Sequence, residues 1–197
     1  MRIGLLLLSG DPIHVAHLGL ATYCLNNDLV DVVKIVPAKG NPWKNPPVGT
    51  FEERVEMIRK CCLYIDRCDV DDIEKDVMYP YSCYVLEAIR EKYGTNNEYF
   101  LIGGADTISS LPEWLHYEDM IKGKFKVIGF TRDGQAPETT EVEYMLVESD
   151  EFSGLSSTLV RNLISAGKTA FPYLPDCILE DCYRIYSDPQ RVVDFEG

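Results

Sequence analysis

The chain has 197 residues, 46% of them hydrophobic, and carries a formal charge of −13. That is enough chain, and apolar enough, to bury a core within one domain rather than stay disordered. The acidic excess excludes a general nucleic-acid binder, which needs a basic face, but not an anionic small ligand, because distant charges are screened beyond about 8–10 Å.

Residues 3–8 are short, apolar and closed by Ser-Gly, as a buried strand is. Residues 16–26 follow as a helix with Leu18, Ala21 and Leu25 on one face. Residues 32–36 are a second strand, and 39–49 (KGNPWKNPPVG) hold too much proline and glycine for either element. Thr50 and Glu53 form a capping box that opens a helix running to about residue 64. Residues 70–73 read as a short strand, and 82–93 as a helix stopped by Gly94 in a left-handed cap. A strand at 99–102 ends at Gly103-Gly104, and a helical stretch containing Trp114 follows. Strands at 126–130 and 145–147 and helices at 156–165 and 175–186 complete the chain. Such alternation predicts one domain over 1–197 of α/β class, a Rossmann-like doubly wound parallel sheet with helices on both faces.

No apolar run approaches the ~20 residues of a membrane span, and the apolar start lacks the flanks of a signal peptide. The seven cysteines are odd in number and contain no C-x-x-C pair. They read as free thiols of a reducing compartment rather than a disulfide framework or a zinc site. A cytoplasmic protein with neither membrane nor nucleic-acid partner is expected.

In a doubly wound sheet, ligands bind beyond the carboxyl ends of the strands where the strand order reverses. The stretch after the first strand, S-G-D-P-I-H-V-A-H-L, holds His14 and His17, two of the three histidines. Their spacing puts both on one face of the first helix start, where Pro12 fits and Asp11 offers a cap. The pair admits three readings. Both histidines are polar residues that merely open a helix, or both bind a metal with Asp11, or both add donors to the free N–H groups of a helix N-terminus that receives phosphate. Far downstream, in G-L-S-S-T-L-V-R, Ser156 suits an N-cap, and Ser157 and Thr158 offer hydroxyls and N–H groups. Arg161 lies one turn on, where its fork reaches the same anion. Taken alone, that segment is also a serine-rich cap with a solvated arginine.

Residues 9–18 resemble the first signature of the H-x-G-H nucleotidyltransferases, G-[ST]-F-[DN]-P-x-H-x-G-H, with Leu8, Gly10 and Ala16 replacing its Gly, Phe and Gly. Gly154 to Arg161 is similar to the second signature, I-S-S-T-x-x-R. The middle of the chain resembles the nicotinate-nucleotide adenylyltransferases of that superfamily. The resemblance is carried by Gly104-Ala105-Asp106 followed by Trp114, by Glu74 with Pro80-Tyr81-Ser82, and by Val36-Pro37 with Pro42-Trp43-Lys44. Glu53-Arg54 with Met57 and Tyr173-Leu174-Pro175 extend it over nearly the whole chain. On their own, Trp114 reads equally as a core aromatic, Lys44 as a solvated loop residue and Asp106 as a helix cap; His116 is assigned no role.

The resemblance implies that ATP and nicotinate mononucleotide are joined into the deamido dinucleotide with release of pyrophosphate, a step of NAD biosynthesis. It implies catalytic roles for His14, His17, Lys44 and Arg161. It assigns ATP to Ser9, Gly10, Gly104, Asp106, Ser156, Ser157, Thr158 and Arg161, and the pyridine nucleotide to Tyr81, Ser82 and Trp114. Mg²⁺ would come with ATP, held mainly by its phosphates and not by a protein metal site. Nicotinamide mononucleotide as the preferred substrate, phosphopantetheine adenylyl transfer, cytidylyl transfer and a non-catalytic nucleotide sensor are the alternatives. A homo-oligomer is compatible with the sequence.

Overall fold

The computed structural model describes residues 1–40, 45–131, 133–148 and 154–191. Its six strands are β1 (Arg2–Leu8), β2 (Val32–Pro37), β3 (Cys68–Val70), β4 (Glu98–Gly104), β5 (Lys126–Phe130) and β6 (Met145–Val147). They form one sheet in the order β3-β2-β1-β4-β5-β6, and every pairing is parallel. The helices are α1 (Val15–Asn26), α2 (Phe51–Cys62), α3 (Ser82–Tyr93), α4 (Ala105–Ser110), α5 (Ser157–Ser165) and α6 (Leu179–Tyr186). The doubly wound Rossmann-like order is therefore present, and its reversal falls between β1 and β4. Leu5 pairs with Leu101, so the carboxyl ends of those two strands lie side by side.

Strand residues alternate between two apolar layers, as a period of two requires. Leu6, Phe100, Ile102 and Ile128 pack into one cluster with Leu25, Ile58, Val160 and Ile185 from α1, α2, α5 and α6. Ile3, Leu5, Tyr99, Leu101 and Val127 face the opposite way, against Leu86, Ile89 and Ile108 from α3 and α4. Helices on both faces bury most of the central strands β1, β2, β4 and β5, which is why these read as continuous apolar runs, while the edge strands β3 and β6 keep exposed residues. Among the described residues no helix is long and apolar enough to cross a membrane.

Several elements depart from expectation for local reasons. The strand expected at 70–73 lies at Cys68–Val70, and Ile73–Asp76 is a 3₁₀ turn. The buried Asp71 carboxylate accepts hydrogen bonds from the Ile73 N–H, Lys92 Nζ and Tyr93 Oη, which draws the chain off the sheet edge. Gly103 and Gly104 do not follow β4 but are its last two residues, paired opposite Gly129 and Phe130. Trp114 is not helical. α4 stops at Ser110, Pro112 sits in a 3₁₀ turn over Leu111–Glu113, and Trp114 itself is extended at φ −68°, ψ 140°; proline has no N–H to continue a helix. Gly94 takes a positive φ of 95°, yet its ψ of 141° is extended rather than left-handed helical and leads into β4. The last helical stretch divides into a 3₁₀ turn at Asp176–Ile178 and α6.

Candidate active site at the end of the first strand

β1 delivers the chain into a turn that only glycine allows. Gly10 has φ +64°, and a Cβ there would lie 2.9 Å from Leu8 Cδ1 and 3.1 Å from Ile58 Cδ1. The glycine thus follows from the packing of this turn against α2. Asp11, expected as a helix cap, points elsewhere. Its carboxylate accepts from the Val48 N–H (2.9 Å), the Gly49 N–H (2.9 Å) and the Tyr186 hydroxyl (2.8 Å).

His14 is the N-cap of α1 and His17 lies three residues on. The two rings stack with centroids 3.7 Å apart and planes inclined by 20°. The His14 backbone N–H donates to His17 Nδ1 at 3.4 Å. A neutral His17 ring therefore carries its proton on Nε2, where it is a donor for an anion. His14 is buried and His17 half-buried. The Val15 N–H at the start of α1 is taken by the Tyr173 carbonyl at 3.1 Å, so the C-terminal segment abuts the same turn.

The second signature meets the first directly. Ser156 caps α5, accepting from the Leu159 N–H at 3.1 Å. Ser157 Oγ donates to the Pro12 carbonyl at 2.9 Å. Arg161 Nη1 donates to the Asp11 carbonyl at 2.6 Å, and Nη2 to Thr158 Oγ1 at 3.2 Å. Positions 150 residues apart in sequence are thus in contact. The Arg161 side chain keeps 26% of its exposure and Thr158 is exposed, so cation and hydroxyl both face the surface beside the histidine turn.

The other expected positions lie on neighbouring elements. Gly104 closes β4 and is the N-cap of α4, and a side chain there would meet no protein atom within 4 Å. Asp106, in the first turn of α4, is exposed and is not its cap. Ser9 is exposed at the end of β1. Lys44 lies outside the described residues. Of the positions expected to meet the pyridine, Tyr81 is the N-cap of α3, Ser82 is its first residue, and Trp114 Nε1 donates to Ser110 Oγ at 3.4 Å. Tyr84 joins the two segments, its ring 6.4 Å from that of Tyr81 and 6.1 Å from that of His116. His116, given no role from sequence, thus stands against the same aromatic group.

Arg54 escaped the sequence reading as a site residue. It is 1% exposed, and its guanidinium donates to the carbonyls of Gly49 (3.1 Å), Ala38 (2.6 Å), Lys39 (3.0 Å) and Ser9. One side chain thereby ties together the chain after β1, after β2 and before α2. A periodicity signal was present, since Arg54, Ile58 and Cys61 share one helix face. Burial holds the Arg54 guanidinium below the usual arginine value, partly offset by the charge of Asp11. Close by, Glu74 is 3% exposed, and burial pushes its carboxyl up to about 7 against the pull of the Lys39 N–H and the charges of Arg54 and Lys39.

The likeness to known proteins spans the chain. The cytidylyltransferase-like family matches residues 10–163. A Flavobacterium johnsoniae protein named "Probable nicotinate-nucleotide adenylyltransferase" is 30% identical over 185 residues, covering 91% of this chain and 95% of that protein. A Thermotoga petrophila protein of the same name is 30% identical over 193 residues, covering 94% and 96%. In three dimensions the chain resembles Plasmodium falciparum nicotinic acid mononucleotide adenylyltransferase complexed with NaAD, with a TM-score of 0.77 at 18% identity over 94% of this chain and 97% of that one. At that identity the likeness is one of fold.

Proposed function

The chain belongs to the nicotinate-nucleotide adenylyltransferases of the cytidylyltransferase-like family, and we propose that it works by holding a triphosphate between the histidine turn and the start of α5. The 5′-phosphate of nicotinate mononucleotide attacks the α-phosphorus of ATP. A new P–O bond forms, the bond from the α-phosphorus to the bridging oxygen breaks, and pyrophosphate leaves, giving the deamido dinucleotide. The attacking phosphate is already anionic near neutrality, with a second pKa of about 6. No general base is needed, so positioning and charge stabilisation do the work.

The carrying observation is the contact between the two signatures, Arg161 to the Asp11 carbonyl and Ser157 to the Pro12 carbonyl. It supports assigning two imidazoles, a guanidinium, the hydroxyls of Ser157 and Thr158 and the N-terminus of α5 to one triphosphate. In this reading His17 offers Nε2–H to the α-phosphate and His14 assists on the transferring and leaving groups. Ser157, Thr158 and Arg161 hold the β- and γ-phosphates with Lys44, while Ser9 and Gly10 line the turn. Gly104 and Asp106 receive the adenosine, and Tyr81, Ser82 and Trp114 the pyridine. Mg²⁺ would arrive with the ATP substrate, held by its phosphate oxygens, and would neutralise phosphate charge. The free thiols suit a reducing cytoplasm.

Pyrophosphate release tests the reading. ATP and Mg²⁺ are supplied with nicotinate mononucleotide, nicotinamide mononucleotide and phosphopantetheine in turn. Release is expected with nicotinate mononucleotide, at a higher kcat/KM than with the amide. Preference for the amide or for phosphopantetheine reassigns the substrate, and ATP binding without release under any condition makes the chain a nucleotide sensor.

A further inference from the structure

The last helix reaches the catalytic turn. Tyr186, at the end of α6, is fully buried. Its hydroxyl donates to Asp11 Oδ1 at 2.8 Å, across 175 residues of sequence. The same oxygen accepts from the Gly49 N–H, and Oδ2 accepts from the Val48 N–H. Space at this joint is fully used. A Cβ on Gly49 would stand 3.0 Å from Tyr186 Oη, 3.2 Å from Arg54 Cγ and 3.3 Å from Asp11 Oδ1.

The turn is therefore gripped from both sides. Its backbone carbonyls at Ser9, Asp11 and Pro12 are held by Arg54, Arg161 and Ser157. Its one acidic side chain accepts from Val48, Gly49 and Tyr186, with Arg161 Nη1 3.6 Å from its Oδ2. Asp11 immediately precedes Pro12 and lies three residues before His14, the N-cap of α1, so little backbone freedom separates the carboxylate from the imidazoles. A buried carboxylate that loses one of three donors shifts toward its remaining partners. Burial, and then the Asp11 charge, push the Tyr186 phenol up, so the hydroxyl stays protonated and donating at working pH.

We infer that Tyr186 is a positioning residue for His14 and His17, fixing the Asp11 carboxylate and with it the turn that aims both imidazoles, so that the closing helix belongs to the transfer machinery. The kinetic consequence rests on the adenylyl-transfer reading; the effect on the imidazoles does not. In Tyr186→Phe the ring still fills its place in the apolar cluster and only the hydroxyl is lost. Misaiming reacting groups by a fraction of an ångström lowers turnover while leaving ground-state binding, so kcat should fall about 10- to 100-fold. KM for ATP and for nicotinate mononucleotide should stay within about threefold.

The readout that a merely structural role would not move is the nitrogen–proton spectrum of the imidazoles. The chain has only three histidines, and signals of His14 and His17 should shift or broaden while those of His116 stay. Tyr183→Phe is the matched control on the same helix, because the Tyr183 hydroxyl accepts from the Ala170 N–H and touches nothing in the turn through that bond. It should leave spectra and kcat unchanged, and 4-aminophenylalanine at position 186, which restores a donor, should recover both. Should Tyr186→Phe fail to fold, Asp11→Asn loosens the same clamp from its other end and should produce the same selective shifts. Unchanged His14 and His17 signals in the Tyr186 or Asp11 variant, or equal changes in Tyr183→Phe, overturn the inference. If the wild type transfers no adenylyl group, the function falls while the spectra still decide the positioning.

Discussion

His17 uses its two ring nitrogens differently: Nδ1 accepts the His14 backbone N–H, and in the proposed reaction Nε2–H meets charge developing on phosphate oxygens. A preformed donor of this kind is worth most in the transition state, and its removal commonly costs ~10²–10³ in kcat. His17→Ala should show that loss with an unchanged far-ultraviolet circular dichroism spectrum, since the ring is only half-buried and stacks on one neighbour. Turnover close to wild type in steady-state assays would remove His17 from the chemistry. At this scale the sequence was informative about residue type and spacing, because His14 and His17 three apart fall on one face whatever the fold does. It was silent about what each polar atom is aimed at. Asp11 looks like a cap from its position next to a helix, and only the approach of Val48, Gly49 and Tyr186 from distant segments turns its carboxylate away.

Elements carry the consequences of burying charge. The 3₁₀ turn Ile73–Asp76 places Glu74 inside the protein, facing the Lys39 N–H and the cations of Lys39 and Arg54, yet burial still raises its carboxyl to about 7 from an ordinary 4.5. Between those values the folded protein keeps a proton that the unfolded chain has released. That contribution to stability is present at low pH and lost as pH rises through about 7. Glu74→Gln, neutral at every pH and still able to accept the Lys39 N–H, should match the wild type near pH 4.5. Above neutrality it should be more stable by on the order of 3 kcal/mol, since each tenfold change in proton affinity is worth about 1.4 kcal/mol. Urea denaturation at acid and mildly alkaline pH measures this, and an advantage independent of pH would show that the carboxyl is not held neutral. Long periodic elements such as α3 and β5 were legible to the residue, because propensity and tertiary packing agree there. The short ones were not. A strand at 70–73 satisfies local propensity, but the three donors converging on Asp71 come from α3 and the turn itself. The helical pattern that begins at α4 would carry on to Trp114 if Pro112 did not interrupt it.

At the scale of the molecule, alternation of apolar runs with helical periods was enough to infer a parallel doubly wound sheet, since few topologies bury such strands on both faces. The site was half legible. Each of the two signatures can be read locally, whereas their contact, and the reach of α6 into the turn, depend on chain reversals that no local pattern encodes. The same burial makes a prediction about cooperativity. All seven cysteines are free thiols; Cys24, Cys61, Cys62, Cys68, Cys83 and Cys182 are buried, and Cys177 is half-buried. Burial pushes the Cys24 and Cys182 thiols up to about 12, so neither supplies much thiolate near neutrality, and thiolate is the reactive form. Cys61, Cys62, Cys68 and Cys182 share one apolar cluster formed by α2, β3 and the C-terminal helix, so exposing any of them means opening the face of the sheet that carries the site. A disulfide-exchange reagent should therefore label at most Cys177 quickly in the native protein and the remaining thiols together, at the rate of global opening. ATP with Mg²⁺ should slow that second phase, because a ligand that binds only the folded state lowers the open population. Rapid labelling of several thiols, indifferent to ATP, would mean that α2 and α6 separate from the sheet on their own, and that the clamp they form on the histidine turn is open for much of the time.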